Sequence, residues 1–342
     1  MILPTSSVFN GLQGTIPLEI VGLPGLQLLN LFSNHLVGTI PFESVSRNLV
    51  RMDLSDNQIE GIIPTMIQEF EWLDVLQLEY NLIAGTLPPQ LGSLSGLMYF
   101  SIGHNKLTGS IPDALFDQTQ LYLLRLPNNL LTGAFPSISA VPNLIYLDLS
   151  GNAITGTILN SVAYMSTLQY LTLNDNRFTG TIPNQISQLS MLQFLELQSN
   201  QLSGTVPESI SQLSSLRYLM LDRNHLGGTL PSSLQLLTAL ERLTVEGNTL
   251  KGSILASESS VPKLSNLHFL WLSNNKFSGT ICTELGNLRQ LQMIIGYQNQ
   301  FNGTIPSEMG LLSNLTDMSL WGNQLTGPIP TALVGLTQLR RS

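Results

Sequence analysis

An asparagine returns about every 24 residues along almost the whole chain: Asn10, Asn34, Asn57, Asn81, Asn105, Asn129, Asn152, Asn176, Asn200, Asn224, Asn248, Asn275, Asn299 and Asn323. Ten of the thirteen intervals are 24 residues, two are 23 and one is 27. A glycine follows each asparagine by four residues, from Gly14 to Gly327, which accounts for 14 of the 28 glycines. Six residues after each asparagine the position is always apolar, and eight before each of the last thirteen stands a leucine, from Leu26 to Leu315. Such a period leaves little architectural freedom. Each period is one supersecondary unit that cannot bury its apolar side alone, so the units stack into a solenoid with a quasi-one-dimensional core.

One repeat, residues 168–191, reads LQYLTLNDNRFTGTIPNQISQLSM. Leu171 and Leu173 alternate along a short strand and point the same way, into the core. Asn176 sits where the chain turns inward, so its amide can satisfy backbone groups of a neighbouring coil that burial would otherwise leave unpaired. The same structural role is assigned to the periodic asparagines from Asn34 to Asn323. Gly180 relieves crowding where backbones approach. Thr181 and Ile182 favour a second short extended piece, stopped by Pro183. Ile186 and Leu189, three apart, predict a tight helical turn on the outer side.

The segment Leu168 to Asn176 carries L-x-x-L-x-L-x-x-N, the leucine-rich-repeat signature, and the run G-[TS]-I-P or a close variant closes eleven of the fourteen repeats. In these features the chain resembles the plant-specific class of leucine-rich repeats, found in receptor-like kinase ectodomains, receptor-like proteins and polygalacturonase-inhibiting proteins. The resemblance implies an α/β leucine-rich-repeat solenoid. Its form would be a curved right-handed superhelix with a parallel β-sheet on the concave face. Short second strands and 3-10 or short helical turns would lie on the convex side. Fourteen strands at about 4.8 Å give a sheet on the order of 60 Å long. The expected organisation is a single domain over 1–342, with the first repeat degenerate, the last truncated and no separate catalytic domain.

Several departures stand out. Thr5 and Ser7 occupy strand positions of the opening coil, and Leu336 and Leu339 begin another repeat. Plant-type ectodomains carry cysteine-paired caps, and this chain has one cysteine, so it reads as a segment of a longer protein. Ala256–Pro262 falls in the 27-residue interval and reads as a polar loop insertion. Gly296 stands where the twelve other well-formed repeats place Leu, Ile or Val. Leaving such a site unfilled costs roughly 2–5 kcal/mol, so either neighbours repack or the register shifts.

Composition excludes several classes of function. A net charge of −8 with only 14 Lys and Arg, scattered along the chain, argues against nucleic acid. No apolar run approaches the roughly 18 residues needed to cross a bilayer. Phosphate loops, nucleophile elbows and H-E-x-x-H are missing, and His35, His104, His225 and His268 fall in different repeats, so no cofactor or metal is expected. Cys282 replaces a turn proline and reads as a semi-buried thiol. The chain is therefore expected not to be an enzyme.

Side chains between the core leucines point out of the concave face. Six before the asparagine stand Tyr99, Tyr146, Tyr170, Phe194, Tyr218 and Phe269, a column read as packing. The more variable columns are acidic in the middle, at Glu196, Asp222 and Glu246, with Arg223 and Arg242 near enough to neutralise them. Towards the C-terminus they become apolar: Trp271, Ile295, Tyr297 and Trp321, flanked by Phe269 and Met293. Outward aromatic clusters mark interaction surfaces. The expectation is a protein or peptide ligand in the concave trough, anchored on the aromatic cluster, with its basic groups on the acidic residues. Trp72, on a turn beside Leu73, reads as a packing residue. Two other readings stay open: an inhibitor of cell-wall hydrolases, and an ice-binding structural protein. The second rests on the Thr or Ser that follows the periodic glycine in eleven of fourteen repeats. Asn302 and Asn314 head glycosylation sequons. The resemblance implies an extracellular or plasma-membrane-associated location as part of a longer protein, with the cytoplasm as the alternative.

Overall fold

The computed structural model describes residues 10–139, 141–254 and 264–340. The predicted insertion Ala256–Pro262 and the opening positions Thr5 and Ser7 lie outside the described residues. Contacts group the chain into two units, Met1–Thr155 and Gly156–Ser342.

In both units each repeat contributes a three-residue strand to a parallel sheet. In the first unit these run from Leu28–Asn30 through Arg51–Asp53, Val75–Gln77, Tyr99–Ser101 and Leu123–Arg125 to Tyr146–Asp148. The second unit runs from Tyr170–Thr172 through Phe194–Glu196, Tyr218–Met220, Arg242–Thr244, Phe269–Trp271 and Met293–Ile295 to Asp317–Ser319. Its register keeps each repeat position in one column, so Leu171, Leu195, Leu219, Leu243, Leu270, Ile294 and Met318 pair in sequence. All seven are buried. The residues on either side of this row emerge on the opposite face, because Cβ direction alternates along a strand.

Periodic asparagines join successive coils. Asn200 Oδ1 accepts from the Phe178 amide at 2.9 Å, in the coil before. Its Nδ2 donates to Leu173 O, also in the preceding coil, at 3.0 Å, and to Leu197 O at 3.1 Å in its own. In the first unit Asn81 makes the same bonds to Ile59 N, Leu54 O and Leu78 O. Asn224, Asn248, Asn275 and Asn299 repeat the pattern in the second, each with its Oδ1 on an amide of the preceding coil.

The second strands lie earlier than predicted. They lie before or across the periodic glycine, as in His225–Gly227, Ser203–Thr205 and Gln300–Gly303, instead of beginning with the Thr-Ile pair. In the repeat written out above the second strand is reduced to the isolated bridge Thr157↔Thr179. Ile182 is buried and leads through Pro183 into the 3-10 turn Asn184–Gln188. The glycine answers a different need from the one expected. Gly204 has φ +76°, and a Cβ there would stand 2.8 Å from the Thr181 methyl of the coil before.

At Gly296 the register is unbroken: Ile294 pairs with Met318, and Asn299 still donates to Gly296 O at 3.3 Å. Repacking takes up the missing volume. Leu320 Cδ2 and Phe301 Cε2 come within 3.3 and 3.5 Å of where a Cβ would stand.

Candidate functional site

Register brings the C-terminal cluster together on the open face of the second unit's sheet. Trp271 pairs with Ile295 and Ile295 with Ser319; Phe269 pairs with Met293 and Met293 with Asp317. These columns border a cleft of about 350 Å³. Five of the residues singled out in the sequence line it: Glu246, Trp271, Met293, Ile295 and Tyr297. Three lining residues were missed, Asp317, Met318 and Ser319. Asp317 and Ser319 stand six and four before Asn323, so the column rule could have found them; Met318 belongs to the buried row beneath.

The cleft's polar side is organised around Glu246. Its Oε1 accepts from the Tyr297 hydroxyl at 3.0 Å and from Asn274 Nδ2 at 3.2 Å. Burial raises the Tyr297 pKa above its ordinary value, and the hydrogen bond and charge of Glu246 push it further up. Trp321 stacks on Tyr297, ring centroids 4.8 Å apart and planes 3° from parallel, and is 59% exposed. Trp271 Nε1 is buried and has no hydrogen-bond partner. Phe269 does not line the cleft; it carries the Arg242 guanidinium over its ring, 4.4 Å from the centroid.

The three acidic residues stand in different settings. Asp222 is turned into the protein: Oδ1 accepts from the Glu246 amide at 2.8 Å and Oδ2 from the Thr244 hydroxyl. Burial raises its pKa despite both bonds. Glu196 lies in a different column, registered against Thr172 and Met220. For Asp222 and Glu246 the expected arginine partners take other places. Among the described residues no ion pair joins Arg223 or Arg242 to Asp222 or Glu246. Arg242 is held by aromatic faces instead, since its guanidinium also lies 5.9 Å from the Trp271 ring.

Outside the cleft, Tyr170, Phe194 and Tyr218 form a stacked ladder with centroid spacings of 4.6 and 4.5 Å. Trp72 is no packing residue: it is 67% exposed, while its neighbour Leu73 takes the buried place in the turn. The half-buried Cys282 thiol lies 3.8 Å from Ile254 O, and burial pushes its pKa up, which disfavours the nucleophilic thiolate. Asn302 and Asn314 are both exposed, with Asn314 Nδ2 donating to Arg289 O at 3.0 Å. Among the described residues no helix is long and apolar enough to cross a membrane.

A family model described as "Leucine-rich repeat region" matches residues 128–301, and one described as "Leucine Rich Repeat" matches 48–70 and 314–336. No curated protein sequence matches the chain. Among solved structures, the chain is similar to the plant peptide hormone receptor RGFR1 in complex with RGF2, at 27% identity and a TM-score of 0.84 over 98% of this chain. It is similar to a TDR receptor at 30% identity and a TM-score of 0.88 over 97% of this chain. The chain spans 62% of the length of each of these two receptors. An LRR protein of Leptospira interrogans, LIC12759, is 30% identical with a TM-score of 0.77, over 96% of this chain and 81% of that one. The periodic asparagines, the parallel sheet with its 3-10 turns and these matches agree: the chain belongs to the leucine-rich-repeat family, with repeats of the plant type, and has the fold of an α/β leucine-rich-repeat solenoid.

Proposed function

We propose that the protein is a non-catalytic recognition scaffold that binds an extended peptide or protein segment on the open face of its main sheet, as part of a receptor-like protein at the cell exterior. The observation that carries this reading is the cleft bordered by Trp271, Ile295 and Tyr297. It is apolar, it presents aromatic side chains that make effective binding anchors, and its polar groups are few and fixed in place. A regular strand array also suits an extended ligand, which can lay successive side chains across successive coils. The likeness to RGFR1, a receptor in complex with the hormone RGF2, supports a peptide ligand here. Glycosylation at Asn302 and Asn314 fits the exterior location, and the whole of 1–342 is read as one repeat domain.

The test is selection of a displayed random peptide library on the immobilised chain, followed by affinity measurement on Trp271→Ala and Trp321→Ala. Selected peptides are expected to lose about tenfold or more in affinity on each variant, the scale of a hot-spot aromatic. Selected peptides that bind both variants as tightly as the parent would overturn the placement.

A further inference from the structure

We propose that the cleft is a pocket for one arginine side chain of the bound segment. This deepens the reading above and rests on it.

Two carboxylates, Glu246 and Asp317, line the cleft. Each is held by its neighbours through one oxygen only. Glu246 Oε1 takes the Tyr297 hydroxyl and Asn274 Nδ2, and Asp317 Oδ2 takes the Thr316 hydroxyl at 2.8 Å. Among the described residues neither carboxylate is in an ion pair, and Glu246 Oε2 and Asp317 Oδ1 accept no hydrogen bond. Two carboxylates, each with one uncommitted oxygen, therefore border the cleft, and the Arg242 guanidinium, 5.9 Å from the Trp271 ring, is ion-paired with neither. The cation nearest in sequence, Arg242, lies over the Phe269 ring.

The rest of the lining chooses among cations. Ile295 and Met293 give the lining an apolar surface suited to an alkyl stem, and Tyr297 and Trp271 add aromatic rings. A guanidinium is planar, stacks on aromatic faces and carries five donors in a fixed fork, so it can serve two separate carboxylate oxygens at once. An ammonium is a compact, strongly hydrated charge and meets fewer of these features.

The experiment uses the 342-residue chain and fluorescein-labelled pools of N-acetylated, C-amidated octapeptides. One position is fixed as arginine, lysine, citrulline or norleucine, and binding is read by fluorescence anisotropy. The arginine pool is expected to bind at least about tenfold tighter than the pool with citrulline, its neutral isostere, and tighter than the lysine pool. Glu246→Gln with Asp317→Asn should remove that preference, so that the arginine and citrulline pools bind the double variant equally. Equal binding of arginine and citrulline pools, or an arginine preference that survives Glu246→Gln with Asp317→Asn, would overturn the arginine pocket but leave peptide recognition standing. Lysine preferred over arginine would overturn it in favour of an ammonium site. Failure of every pool to bind would sink both this inference and the peptide-binding reading beneath it.

Discussion

The Tyr297 hydroxyl donates to Glu246 Oε1 at 3.0 Å across 51 residues of sequence, so two coils separated by a third share one hydrogen bond on the open face. That bond and burial together favour the neutral phenol. Since the folded-state pKa lies above the ordinary value of 10.0, the stability it contributes is complete below that pH and is lost as pH rises through the folded value. Ultraviolet difference absorbance of the phenolates should show one tyrosine titrating late. Tyr297→Phe should abolish that phase, and Glu246→Gln should move it back towards 10.0.

Asp222 tests the same logic on a carboxyl. Its folded-state pKa is raised above 3.8, chiefly by burial, so the ionised form is the one the fold disfavours. The contribution from this group is present below 3.8 and is lost as pH climbs through the folded value. Asp222→Asn keeps an acceptor for the Glu246 amide, and the Thr244 hydroxyl can turn to accept from the new amide. Urea midpoints should therefore favour the variant at neutral pH and converge with the parent in acid.

Asn200 is buried and engaged through both atoms of its amide, with one bond accepted and three donated. Asn200→Ala leaves the Phe178 amide and several carbonyls without that partner, a loss of about 2–4 kcal/mol. Asn200→Asp places a carboxylate among carbonyl oxygens and should be worse at neutral pH, recovering in part on acidification. Urea denaturation across pH checks both.

Two glycines should respond in opposite directions to alanine. At Gly204 the positive φ and the Thr181 methyl, 2.8 Å from the new Cβ, both resist, and Gly204→Ala should cost about 1–3 kcal/mol. Adding Thr181→Ser should recover the steric part only. At Gly296 the backbone is ordinary and the nearest atom is the far end of Leu320. Gly296→Ala should stabilise by about 0.5–1 kcal/mol, through lower chain entropy when unfolded. Differential scanning calorimetry of the variants distinguishes the two signs.

Much of the fold was legible because its causes are local and periodic. Leu171 and Leu173 announce a strand with one buried face, and Ile186 and Leu189 announce the outer turn. What failed was the assignment of backbone conformation around Gly180, where β-propensity placed the second strand on Thr181 and Ile182. The buried Ile182 instead leads into a 3-10 turn, and the neighbouring threonine methyl is what the next glycine accommodates. In the cleft, column position identified the face on which Trp271, Ile295 and Tyr297 emerge, since that follows from strand alternation alone. Partners were not legible. Asp222 shares a column with Glu246 yet its oxygens accept from the protein's own amide and hydroxyl, and Arg242 prefers aromatic rings to carboxylates. Asp317 went unnoticed because its column had been read as aromatic packing.

The asparagine bonds span one coil and stop there. Within each unit, therefore, the asparagine-bonded frame of a coil depends only on the coil immediately beside it. A whole period can be duplicated or excised as a cassette without rewriting the remainder, whereas a cut at any other length breaks the pattern. Binding chemistry carried on the strand faces is thus editable one turn at a time, and a lineage that keeps its asparagines is free to change nearly everything a ligand would touch.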